Sequence, residues 1–347
     1  MENSQTELNN RKQIAIWLFI CCIAIFAMVI LGGVTRLTGS GLSMVEWAPL
    51  MGILPPLNHA DWEAVFQQYQ QYPEYKLKNF QMTLGEFKTI FWFEYAHRLL
   101  GRAIGLIFLI PMIYFIVKAK VDKPLIPKLI IMFILGGLQG VLGWYMVKSG
   151  LVDNPHVSQY RLTAHLGFAI IIYAYLFWVA LDLLFPRTKS AVSSNILPLR
   201  RFSLMVTTLV FITVLSGGFV AGLKAGLAYN TFPLMAGHWI PEGLWTLEPL
   251  WRNFFENITT VQFDHRLLAT LLFFLIPTLW LMGRRANLPN RTRWGLLMLV
   301  IILGIQITLG ISTLLLYVPV SLAAAHQAGA LALFTAALFV SHELKQI

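Results

Sequence analysis

Four of the chain's eight histidines, His97, His165, His265 and His326, fall inside long apolar runs. Ionisable residues are costly in lipid and usually face the interior of a helix bundle. Each of the four lies roughly five to eight residues in from one end of its run, which at about 1.5 Å per residue sets them at one depth, ~8 to 12 Å below that surface. Two imidazoles on facing helices can grip a planar macrocycle from both sides, and a haem iron accepts such axial nitrogens. The residue four positions after each histidine is small: Gly101, Ala169, Ala269 and Ala330. That position shares the histidine's helical face one turn away, so a small residue there leaves room for a flat ring. Arg98, Arg102 and Arg266 carry the planar fork that pairs with carboxylates such as haem propionates. Two plainer readings stay open. A membrane histidine can serve only as an interhelical hydrogen-bonder, with small residues allowing close packing. Zinc is the other, although two histidines without a thiolate or carboxylate in the second set leave its coordination incomplete. His59, His156, His238 and His342 sit in connections or at a helix end and read as solvated or interfacial.

Glu94 precedes His97 by three positions, and Gln262 precedes His265 by the same interval. A carboxyl group so placed shares its histidine's face in a poorly solvated setting. It can take a proton or stabilise positive charge on a substrate carbon, which the neutral Gln262 cannot. Glu94 is therefore the candidate catalytic carboxylate, the alternative being a helix-end group paired with Arg98 or water. Asp264, beside His265, points off that ligand's face and reads as structural.

The elements that must position these residues follow from composition. A chain of 347 residues that is 57% hydrophobic and 12% charged has more apolar surface than one soluble core hides, so the bilayer is its solvent. Apolar runs near 14–34, 90–117, 126–147, 160–185, 202–223, 259–282, 294–317 and 321–341 predict eight transmembrane helices. The net charge of +10 comes from Lys and Arg in short loops on one side, as orientation signals do, so nucleic acid is not the expected partner. Both termini are then cytoplasmic, with residues 1–13 a short tail. Cys21 and Cys22 are adjacent inside the first run and cannot form a standard disulfide with each other.

The two long connections, about 35–89 and 224–258, fall on the outer side and are rich in aromatic residues suited to the headgroup level. Trp62, Val65, Phe66 and Tyr69 recur at helical spacing and predict an amphipathic helix on the membrane surface. Thr83 and Glu86 have capping-box spacing, so the second spanning helix should start outside the lipid. The chain also repeats itself. His97-Arg98-Leu99-Leu100 recurs as His265-Arg266-Leu267-Leu268, Leu31-Gly32-Gly33 matches Ser216-Gly217-Gly218, Pro49-Leu50-Met51 matches Pro233-Leu234-Met235, and Gln139 with Gly143 matches Gln306 with Gly310. The expected fold is an all-α membrane protein of two pseudosymmetric four-helix bundles, 14–185 and 202–347, joined by a cytoplasmic linker at 186–201. With an even number of spans per repeat, the two share one topology.

At this point the residues meet a known family. Glu94-Tyr95-Ala96-His97-Arg98, continuing to Gly101-Arg102, resembles a signature of haem A synthases. The stretch Gly32-Gly33-Val34-Thr35-Arg36-Leu37 to Gly41-Leu42-Ser43 is similar to their first-helix exit. Pro73-Glu74-Tyr75-Lys76, Met82-Thr83-Leu84 and Glu86-Phe87-Lys88 resemble the outer connection of the proteobacterial and mitochondrial branch. The resemblance spans nearly the whole chain. It implies oxidation of a methyl group of haem O to a formyl group with water as oxygen source. It further implies a haem b cofactor on His265 and His326, haem O substrate at His97 and His165, and Glu94 as the essential carboxylate. An unidentified electron acceptor, contact with the haem O synthase that supplies substrate, and a bacterial inner-membrane location come with it. Some members carry outer-loop cysteine pairs, and this chain has none. The competing function is a diheme b-type transmembrane electron carrier, against which stands the placing of all four histidines at one depth. A transporter of haem or a small solute would favour helices broken at mid-membrane, and Pro111 and Pro277, at corresponding places, are kinks without a pathway.

Overall fold

A computed structural model of the chain describes residues 2–46, 53–151, 155–185 and 196–347. The Pro49-Leu50-Met51 half of one repeat match, and most of the expected 186–201 linker with Arg187 and Lys189, lie outside the described residues. Among the described residues there is no β-strand. The helices are α1 (Glu2–Leu37), α2 (His59–Gln70), α3 (Pro73–Leu77), α4 (Leu84–Val117), α5 (Ile126–Gly150), α6 (Gln159–Leu184), α7 (Leu197–Leu223), α8 (Asn253–Glu256), α9 (Ile258–Arg285), α10 (Asn290–Leu315) and α11 (Val320–Gln346). Eight of them, α1, α4, α5, α6, α7, α9, α10 and α11, are long and apolar enough to cross a membrane, so the chain is a multi-pass membrane protein.

Helix ends follow local chemistry. The Thr83 hydroxyl accepts from Glu86 N–H at 3.3 Å while Glu86 Oε2 accepts from Thr83 N–H at 2.8 Å. This capping box starts α4 about two turns before the apolar run does. Asn257 Oδ1 accepts from Thr259 N–H at 2.9 Å and starts α9. Lys224, at φ 54°, turns the chain left-handed and stops α7. Residues 2–13 of the expected tail are helical and continue α1 back to Glu2, because a polar segment without Gly or Pro continues a helix already nucleated by its apolar neighbour.

By packing, the chain divides into two compact units, Met1–Phe19 with Ile170–Ile347, and Ile20–Ala169. In the first, α7 packs on α9 and α11, and α10 packs on the same two helices. Val206, Val210, Leu272, Ile276, Leu279, Leu299 and Leu331 are buried between them, whereas Phe273, Phe274, Ile301 and Ile305 point outward. Helices apolar on both faces suit lipid on one side and protein on the other. In the second unit, α2 lies against α4. Its Trp62 and Tyr69 are buried with Phe87, Phe91 and Tyr95, Trp62 meeting Phe91 edge-on at 4.9 Å between ring centres. The predicted amphipathic helix is thus present, but protein rather than the membrane surface covers its apolar stripe. Phe87 in the added turns of α4, with Phe91 and Tyr95 further along the same helix, supplies the surface it buries.

Candidate functional site

In the unit Ile20–Ala169, α4 presents Glu94 and His97 three positions apart. Glu94 is buried, and both its oxygens accept hydrogen bonds. Oε2 takes the Ser43 hydroxyl at 2.7 Å and the Met44 N–H at 2.8 Å, and Oε1 takes Arg98 Nη2 at 2.6 Å. Three donors on one enclosed carboxylate are the complement of a negative charge. Arg98 also donates to the carbonyls of Met44 at 2.7 Å and Glu46 at 3.0 Å, so this arginine ties the outer connection to α4 and to the acid at once.

The unit containing α9 repeats the arrangement without the acid. Arg266 donates to the carbonyls of Tyr229 and Thr231, both at 2.9 Å. Gln262, buried in Glu94's place, donates its amide to the same Tyr229 carbonyl at 3.0 Å. Both arginines therefore spend their terminal nitrogens on loop carbonyls, while Arg266 Nε is buried with no hydrogen-bond partner among the described residues. Arg102 lies one turn beyond Arg98 on α4.

Each of the four histidines faces a glycine on the preceding spanning helix, at matching places in the two repeats. A Cβ built on Gly32 would stand 3.1 Å from His97 Nε2, and on Gly217 3.2 Å from His265 Cε1. On Gly143 it would stand 2.9 Å from His165 Cε1, and on Gly310 2.7 Å from His326 Cε1. A side chain larger than hydrogen would push against each ring, so Gly32, Gly143, Gly217 and Gly310 are seats for imidazoles. His165 lies within electrostatic range of His97, and Gln139 donates to the His165 carbonyl at 3.0 Å. His265 and His326 face each other with ring centres 6.4 Å apart and planes at 86°. Metal–imidazole bonds of about 2 Å on either side of one ion, with the ring radii added, put two ring centres roughly 6 Å apart. The Nδ1 atom of His165 is buried without a partner among the described residues, and the His326 ring lies beside the Gln306 backbone carbonyl with its Nδ1 outside good hydrogen-bond geometry. Among the described residues no three His, Cys, Asp or Glu side chains converge as a metal site. The donor sets are imidazole pairs.

His97 lies about three and a half turns into α4, whereas the other three histidines come about two turns into their helices, the difference being the capped extension of α4. The space beside Gly101 holds the Met28 methyl, 3.2 Å from a Cβ built there, so this small residue serves the packing of α1 on α4. His59, His156 and His238 are exposed, but His342 is not the solvated residue expected. It is fully buried, 2.9 Å from Asp182 Oδ1 and 3.0 Å from Gln346 Nε2, with its ring edge on Trp178. The last turn of α11 packs on the end of α6, which encloses the ring and supplies a carboxylate. Two polar contacts of the site were not anticipated. Ser43 was visible only as the end of a motif. Ser216, whose Oγ lies 2.7 Å from His265 Nδ1, was visible only as the odd member of a repeated triplet.

Compared with known proteins, residues 15–338 match the COX15-CtaA family, described as cytochrome oxidase assembly proteins. The chain is 64% identical over 336 residues to the haem A synthase of Nitrosospira multiformis, covering 97% of this chain and 94% of that one. It is 56% identical to the haem A synthase of Nitrosomonas eutropha over 96% and 94% of the two chains. With the human haem A synthase COX15 it shares 49% identity over 95% of this chain and 82% of the human one.

Proposed function

The chain belongs to the COX15-CtaA family of cytochrome oxidase assembly proteins, and from that premise we propose that it is a membrane oxidoreductase that makes haem A. Its substrate is haem O, held through His97 and His165, and the reaction converts a ring methyl to a formyl group in successive oxidations that each take their oxygen from water. The observation that carries this reading is the asymmetry between the repeats: Glu94 stands in a nest of three donors where the other unit has Gln262.

Haem b is the cofactor in this reading: His265 and His326 would hold it, with Arg266 available to its carboxylates, and it would supply a one-electron redox centre. The 6.4 Å ring separation and the buried unpartnered Nε of Arg266 fit such a group. Glu94 lies on the His97 face of α4, where its carboxylate stabilises positive charge as the substrate methyl loses electrons and a proton. Ser43 and the Met44 N–H orient that carboxylate, and Arg98 holds it against the outer connection. Water then adds to the carbon and releases a proton to give the alcohol; a second two-electron oxidation and addition of water give the hydrated aldehyde, which loses water to leave the formyl group. An acceptor outside the chain takes the electrons, and a haem O synthase in contact with the chain delivers the substrate. In a bacterium the chain lies in the inner membrane with both termini in the cytoplasm, a reading supported by the Lys and Arg residues gathered in the loops of one side.

Glu94→Gln tests this reading. The variant is expected to bind haem as the unmodified chain does and to form no haem A. Haem A formation at the unmodified rate would remove Glu94 from the mechanism.

A further inference from the structure

The two repeats present their first histidine differently. The Ser216 hydroxyl lies 2.8 Å from the Thr213 carbonyl, to which it can donate its single proton, and 2.7 Å from His265 Nδ1, toward which its oxygen then accepts. In the tautomer that uses both contacts, His265 Nδ1 carries the hydrogen and Nε2 is the bare nitrogen of that ring. A ring nitrogen fixed in this way is what turns an imidazole into a directed metal ligand and raises its basicity. In the other repeat the place of Ser216 is taken by Leu31, followed by the same two glycines. A leucine offers no acceptor, and among the described residues no side chain hydrogen-bonds to the His97 ring. The ring also turns differently. His97 brings Nε2 toward Gly32, whereas His265 brings Cε1 toward Gly217, with both ring nitrogens further off at 3.8 and 3.9 Å.

We propose that Ser216 is a positioning residue that locks His265 as a directed axial ligand, and that Leu31 leaves His97 without such a lock. The unit containing His265 consequently retains its haem, and the unit containing His97 exchanges its own, as a site for a substrate that must arrive and leave requires. This inference rests on the proposed function in taking haem as the ligand of both units and as substrate at His97.

The test is made on full-length chain purified in detergent, with two readouts that do not depend on turnover: haem retained per chain, and the reduction potential of the retained haem. Ser216→Ala is expected to lower haem affinity by about 10- to 100-fold, the usual cost of losing a hydrogen bond behind a metal-bound histidine. The haem that remains should shift to a more positive potential, because the imidazole donates less strongly. Ser216→Thr keeps the hydroxyl and should restore both values, which a purely steric role for Ser216 would not require. Leu31→Ser should raise haem content per chain by adding an acceptor behind His97. Ser216→Ala with unchanged retention and potential overturns the inference while leaving the proposed function intact. A Leu31→Ser chain with no gain overturns the assignment of exchange to the His97 side. An unmodified chain that carries no haem at all overturns both readings together.

Discussion

Gly310 is the tightest of the four imidazole seats, and it allows a prediction with its own control. A Cβ at Gly310 would stand 2.7 Å from His326 Cε1, 3.3 Å from Nδ1 and 3.5 Å from Nε2. Carbon atoms in good contact lie about 3.5–4.0 Å apart, so Gly310→Ala drives a methyl roughly 1 Å too deep into the ring. The ring is flat and enclosed, so relief comes only by swinging it away or by separating α10 from α11. Overpacking of this kind costs about 1–3 kcal/mol, which is roughly a 5- to 150-fold loss where the ring must be aligned to bind. Gly304 lies on the same helix with nothing within 4 Å of its Cβ position. There alanine removes a glycine from a helix interior and should be neutral or stabilising by up to about 1 kcal/mol. The assay is haem per chain from the absorbance spectrum, together with thermal unfolding of both variants. Gly310→Ala should lose haem while Gly304→Ala keeps it, and the milder seats Gly32 and Gly217, at 3.1 and 3.2 Å, should fall between. If Gly310→Ala matches Gly304→Ala in both haem content and stability, the glycines are not imidazole seats.

Three further outcomes follow from the second unit. Ser43→Ala removes one of three donors to Glu94 and, at about 1.5–3 kcal/mol for a hydrogen bond to a charged group, should slow haem A formation by roughly tenfold or more with the chain still folded; an unchanged rate would show that the serine does not orient the carboxylate. Thr83→Ala breaks the capping box and should cost about 1 kcal/mol, seen as faster hydrogen exchange over the first turn of α4 with haem content preserved. Burial pushes the Glu74 carboxyl up to about 7, with the negative Glu94 adding to the rise and the Tyr69 hydroxyl, Lys78 and Arg36 opposing it. The folded connection therefore holds the proton that the unfolded one gives up, so its stability is full below about pH 4.5 and falls as pH rises toward about 7. Hydrogen exchange across α2 and α3 should speed up through that window, and Glu74→Gln should flatten the slope; a slope kept by the glutamine variant would assign it to another group.

What the sequence revealed was whatever is written locally. The apolar runs, the capping box at Thr83 and Glu86, and the verbatim repeat around His97 and His265 each occupy a few consecutive turns, and each has its counterpart in the folded chain. The Glu94/Gln262 difference was equally legible, because aligning two copies of one motif exposes a single changed residue. The partners of those residues were not legible. Arg98 binds the Met44 and Glu46 carbonyls some fifty positions away, and no periodicity announces which backbone carbonyls a connection will turn inward. The same holds for His342, whose burial depends on Asp182 from another helix, 160 positions distant. α2 was recognised as amphipathic, yet whether lipid or protein covers its stripe depends on how far α4 extends. Ser216 was in view as part of a triplet, but its role appears only once the Thr213 carbonyl is seen within reach of its proton.

The most direct test of the central claim is chromatography of haems extracted from cells that make this chain together with a haem O synthase, with the unmodified chain and Glu94→Ala compared side by side. Haem A should appear with the unmodified chain and be missing with Glu94→Ala, while haem O persists in both. Recovery of only haem b and haem O from the unmodified chain, with haem O abundant, would contradict the account and favour a diheme electron carrier in its place.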